Sequence, residues 1–166
     1  MSITNVLSFK TTDLQLIDAR GPRFGAVITT IVLTAFLATE SLFLLHWQLA
    51  VFALGAFFGL KTSPYAFIYS KIIRPRLRGE VPTEDVRPPQ FAQLVGFLFA
   101  ITATILYDLG LSTVGMIVVG FALAAAFLNA AFNFCLGCEV YLLIARAKAA
   151  IASRKTKEDS YNLPSL

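Results

Sequence analysis

Polar positions divide the apolar ones of this chain into four long runs: residues 24–45, 49–60 with an extension toward 73, 91–107 and 111–133. A membrane-spanning helix needs about 20 predominantly apolar residues. The pattern therefore predicts an all-α polytopic membrane protein of four transmembrane helices, arranged as two hairpins. The first hairpin would turn at His46-Trp47-Gln48 and the second at Asp108-Leu109-Gly110. Residues 1–23 form an N-terminal segment, 24–145 the four-helix domain with a basic loop at 61–90, and 146–166 a tail. The tail turns charged and then polar after Ala149 and reads as mobile.

The second run is irregular. Lys61 follows Leu49 by only twelve residues, roughly 18 Å of helix. Ser63-Pro64 then offers an N-cap and first-turn pair. One reading ends the span near Leu60 and starts a short helix from Pro64 to Ile73, with Tyr65, Ile68, Tyr69, Ile72 and Ile73 on a face suited to the membrane surface. The other keeps one continuous helix with Lys61 snorkelling. Gly55-x-x-x-Gly59 lets helices approach closely, within the bundle or in a homodimer. The Ala-rich run 123–131 has the same packing meaning.

A segment recurs at an interval of 67 residues. Residues 18–25 read Asp-Ala-Arg-Gly-Pro-Arg-Phe-Gly and residues 85–92 read Asp-Val-Arg-Pro-Pro-Gln-Phe-Ala. Each copy precedes one hairpin, proline being tolerated in the first turn of a helix. Internal duplication explains the echo; so does independent selection of Arg, Pro and an aromatic wherever a helix leaves the basic side.

Charge adds orientation. All 14 Lys and Arg fall outside the two hairpin turns: on the N-terminal segment, the central loop and the tail. Short basic loops stay cytoplasmic, so both termini and the middle loop should be cytoplasmic, in the inner (plasma) membrane of a bacterium. The chain is 57% hydrophobic with a net charge of +4 and a pI near 9.3. With the basic residues placed as anchors at the bilayer and its anionic head groups, nucleic acid is not an expected partner. The first 23 residues carry Asp13 and Asp18 with no long apolar core before Arg20, which does not fit a signal peptide.

Candidate chemistry is concentrated in Cys135-Leu136-Gly137-Cys138. Cysteines at i and i+3 share one helical face, a spacing that suits a reversible dithiol, a persulfide relay or half of a soft-metal site. Inert packing is the rival, since cysteine behaves as a small apolar residue. If Asn133 caps a helix starting near Phe134, Cys135 lies in a first turn whose N–H groups favour thiolate. Glu139 stands beside the pair as a proton donor or acceptor. In a reducing cytoplasm a static structural disulfide is not expected. No metal or other cofactor is expected: a structural zinc needs four ligands, and the single histidine, His46, belongs to the opposite side. Glu40 is the one acid placed well inside a predicted span and is a second, weaker site candidate, either a proton relay or an interfacial carboxyl.

Several of these stretches together resemble the domain-of-unknown-function family 4395, small bacterial integral membrane proteins. They are Ile17-Asp18-Ala19-Arg20-Gly21-Pro22-Arg23-Phe24, Ser63-Pro64, Arg87-Pro88-Pro89-Gln90-Phe91-Ala92-Gln93, and Cys135-Leu136-Gly137-Cys138 with Tyr141. The family often has Arg where this chain has Gln90. The resemblance implies a thioredoxin-like or sulfurtransferase partner and hence thiol redox or sulfur chemistry. The leading expectation is a cytoplasmic-face dithiol working with such a partner. The alternative is a non-catalytic subunit or scaffold of a larger membrane complex.

Overall fold

The structure, a computed structural model, describes residues 15–77, 79 and 81–161, with side chains as far as Arg154. Lys10, Asp13, Arg78 and the last five residues of the tail lie outside the described residues. The fold is all-α apart from one small two-stranded ribbon. In chain order the elements are β1 (Leu16–Asp18), α1 (Arg20–Thr39), α2 (Leu42–Ala53), α3 (Pro64–Ile68), β2 (Thr83–Asp85), α4 (Arg87–Asp108), α5 (Ser112–Phe132) and α6 (Leu136–Tyr161). Three helices, α1, α4 and α5, are long and apolar enough to cross a membrane, and at most 17% of their most apolar stretches is buried. Ile31, Leu98, Ile117 and Phe121 point outward from mid-helix. Such continuous apolar exposure suits lipid and not water.

The first turn lies elsewhere than the pattern predicted. α1 ends at Thr39; Glu40 caps it in the left-handed region (φ 51°), and α2 begins at Leu42. His46, Trp47 and Gln48 are thus in the helix. Hydrophobicity hides this break because apolar residues flank Glu40-Ser41 on both sides. Gln48 is fully buried: its amide N–H donates to Thr29 Oγ1 (3.2 Å) and its Oε1 accepts from Tyr65 OH (2.9 Å). Tyr65 OH also accepts from Trp47 Nε1 (3.2 Å). The turn at Leu109-Gly110, by contrast, stands where expected, with Gly110 at φ 77°.

α2 continues as a π-turn, Leu54–Phe58, and stops at Gly59, whose φ of 97° is open to glycine at little cost. A 3-10 turn (Leu60–Thr62) and α3 follow, with Pro64 in the first turn. The broken reading of the second run is therefore the right one. The face expected at the membrane surface is split, however. Tyr65 and Tyr69 are buried against α1, and Tyr69 OH donates to Asp18 Oδ2 (2.7 Å), whereas Phe67, Ile68 and Ile72 are exposed. Gly55 meets Gln93 of α4, so its role is packing inside the bundle. Gln90 is fully buried, and its amide N–H donates to the Ala56 carbonyl in the π-turn (2.9 Å). It satisfies a carbonyl in a helix irregularity, at the position where the family often has Arg.

The recurring segment has a structural counterpart. β1 and β2 pair antiparallel, Ile17 opposite Glu84. The flanking bonds match across the repeat: Ala19 N–H donates to the Pro82 carbonyl (2.9 Å), and Val86 N–H to the Gln15 carbonyl (3.0 Å). Asp18 Oδ1 accepts the N–H of Arg20 (3.0 Å), and Asp85 Oδ1 that of Arg87 (3.1 Å). Each carboxylate thus sits at the positive start of its helix. A core of Leu33, Phe36, Leu45, Ala103 and Val119 joins the two helix pairs near their turns.

Candidate functional site

The cysteine box is held by a sharp change of direction at the ribbon end of the bundle. Asn133, not a cap for the next helix as expected, terminates α5: it is left-handed (φ 56°), and its N–H bonds the Asn129 carbonyl (3.1 Å). Asparagine is among the few non-glycine residues that visit this region readily. Phe134 N–H then closes back on the Leu128 carbonyl (3.3 Å). Cys135 precedes α6, one position earlier than a first-turn placement. Its carbonyl accepts Glu139 N–H (3.0 Å) and its Sγ accepts Cys138 N–H (3.3 Å), so the sulfur itself is the helix cap.

Cys135 and Cys138 are joined as a disulfide, with Cα atoms 5.2 Å apart. The bonded pair differs from the sequence expectation, which is reduced thiols and no static disulfide. Both residues are half-buried, and Glu139 is exposed beside them. A Cβ on Gly137 would lie 2.7 Å from Ala92 Cα, so α6 packs backbone to backbone on α4. Tyr141, one turn further along, is buried with its ring 5.7 Å from Phe91. Burial pushes its hydroxyl pKa up.

A cavity of about 710 Å³ opens between α1, α4, α5 and the start of α6. Both cysteines and Glu139 line it, with Arg23, Gln93 and Asn129. Arg23 Nε donates to the Ala130 carbonyl (3.2 Å), fastening α1 to the end of α5. Gln93 Oε1 is buried with no hydrogen-bond partner among the described residues. Glu84 reaches the same cavity, and burial followed by the nearby Asp18 charge raises its carboxyl pKa. Of the four site candidates, Cys135, Cys138 and Glu139 come together. Glu40 does not; it is exposed at the far turn. Gln93 and Asn129 were missed as site residues, although each is a polar side chain inside an apolar run. The tail beyond Ala149, expected to be mobile, is a continuation of α6 to Tyr161. Ala145, Ala147, Ala149, Ala150 and Ala152 give the helix high propensity where it runs into the tail.

The chain belongs to the family described as Domain of unknown function (DUF4395), whose profile matches residues 17–146. Neither the curated proteins nor the solved structures yield a match.

Proposed function

We propose that this DUF4395 protein is a four-span bacterial inner-membrane protein whose Cys135–Cys138 pair is a redox-active dithiol at the cytoplasmic face. Leu42–Phe58 is the fourth span. Its 17 residues cover roughly 26 Å, slightly less than a hydrocarbon core of about 30 Å. The 14 basic residues orient both termini inward. The pair exchanges with a soluble thioredoxin-like or sulfurtransferase partner, carrying electrons or sulfur.

One observation carries this reading: the sulfurs are bonded to each other at a helix start, and the Cys138 N–H points at Cys135 Sγ. In the reduced protein that donor helps Cys135 hold negative charge, which makes it the attacking thiol. Glu139, at the cavity rim, takes up or returns the proton. The test is to purify Cys138→Ser from membranes without reductant. Cys135 should then carry a mixed disulfide with a cytoplasmic protein, absent from the Cys135→Ser variant. Cysteines that resist alkylation in detergent-opened, reduced membranes, with no trapped protein, would make them packing residues and leave the scaffold role.

A further inference from the structure

The cavity beside the disulfide is far larger than thiol exchange with a soluble protein requires, and its walls have the wrong polarity for that task. Apart from its polar rim it is lined by Gly96, Phe99, Ala122, Ala125 and Ala126. These leave a smooth apolar slot between α4 and α5. The walls continue into Phe121, Leu136 and Val140, all exposed apolar side chains. In the proposed topology these face lipid, so the slot is open sideways to the bilayer. The disulfide also lies below the basic rim. Gly137 packs on Ala92, five residues along α4 from Arg87, which is about 7.5 Å deeper at helix rise. A small molecule dissolved in the membrane reaches that depth more easily than a folded protein does.

We propose that the slot binds a lipid-soluble quinone, which oxidises the reduced dithiol. The inference rests on the redox reading of the cysteine pair and names its electron acceptor. A volume of about 710 Å³ falls in the ordinary range of small-molecule sites and admits a quinone ring with the start of its apolar chain. Small residues give the ring flat walls. Gln93 lines the slot, and its amide N–H₂ is the donor there for a quinone carbonyl. The step balances within the site. Two S–H bonds break and the S–S bond between Cys135 and Cys138 forms. The two electrons and two protons pass to the two carbonyl oxygens of the quinone, giving the hydroquinone. Glu139, on the rim beside the sulfurs, passes on one of the protons.

The experiment uses the full chain in detergent, reduced, freed of reductant and mixed with decyl-benzoquinone. One quinone should be reduced per disulfide formed, followed by ultraviolet absorbance and by thiol titration. The rate should saturate with quinone and exceed that of an equal concentration of a free model dithiol at least tenfold. Cys135→Ser should abolish it. Ala125→Phe and Ala122→Phe, which fill the slot, should raise the KM for the quinone about tenfold or more. In whichever of them melts like wild type, alkylation of the reduced thiols by a small water-soluble reagent should be unchanged. A rate that rises linearly with quinone, no faster than the model dithiol, would overturn the proposal. So would slot-filled variants with wild-type KM. Either result, together with a mixed disulfide trapped on Cys135, would leave the soluble-partner reading standing. Thiols that neither react with quinone nor trap a protein would remove both.

Discussion

The two halves of the chain share a plan and differ in what they do with it. Each starts with a paired strand whose aspartate sits at a helix start, runs through two helices, breaks at a residue of positive φ or close after one, and returns by a helix that packs a tyrosine on the motif phenylalanine. Phe24 and Tyr69 lie 5.7 Å apart in the first half, Phe91 and Tyr141 the same distance in the second. Ser63 precedes the returning helix in one half and Cys135 in the other. A cavity accompanies each: about 450 Å³ beside Asp18, Gly21, Ser63 and Ala66, and about 710 Å³ beside Asp85, Pro88, Cys135 and Cys138. Counting from the serine and the cysteine that lead the returning helices, Ala66 and Cys138 hold the same position. One framework thus carries a disulfide in one copy and an inert pair in the other. The framework is common to both halves; the disulfide is an addition to one of them.

Breaking the aspartates separates the halves most strongly. Arg87 is buried and held by Asp85 at 2.8 Å. Asp85→Ala removes that charged contact together with the cap bond to the Arg87 N–H, so it should cost about 2–4 kcal/mol. Asp18→Ala loses a cap bond and the Tyr69 hydroxyl contact, worth together about 1–2 kcal/mol. Denaturation in mixed micelles measures both, and equal losses would show that the halves bear load alike. The next contrast is between two glycines at the contacts of the returning helices, Gly137 within one and Gly21 of α1 against the other. Gly137→Ala forces backbone apart and should cost about 1–3 kcal/mol. Gly21→Ala meets Tyr69 at an ordinary 3.6 Å and should stay within about 1 kcal/mol of wild type. The smallest effect is electrostatic. Because the Glu84 pKa is raised by burial and Asp18, its ionised form costs stability at neutral pH. That cost disappears as pH falls through the raised value, toward which the folded state takes up its proton first. Glu84→Gln should therefore be the more stable protein at pH 7 and lose its advantage near pH 4, as melting temperatures across that range would record.

Sequence reading located the helices better than their interruptions. Runs of apolar residues fix α4 and α5 nearly to their ends, because Gly110 separates them, Arg87 begins the first and Asn133 follows the second. The same signal placed the first turn at His46, since a break needs only two residues of backbone and Glu40-Ser41 alters the average hydrophobicity little. The cysteine pair was legible because cysteine carries chemistry in its identity. Its cavity was not: Gln93, Ala122 and Ala125 acquire a role only when α4 and α5 are side by side. Gln48 was misread for the same reason, as its partners Thr29 and Tyr65 are 19 and 17 residues away. The repeat at 67 residues was visible in letters, but that its two copies hydrogen-bond to each other belongs to the fold alone.

That ribbon also sets an order of events during synthesis. Ile17 pairs with Glu84, so β1 has no strand to join until 67 more residues have left the ribosome, roughly 3–13 s at ordinary rates of chain growth. Through that interval the first pair of helices exists without its clasp. When β2 arrives, the same few bonds fix the starts of α1 and α4 together. A chain stopped before Thr83 can make the first pair of helices but cannot close the clasp. The second half therefore finishes the first, and the bundle is complete only when its later copy has grasped the earlier one.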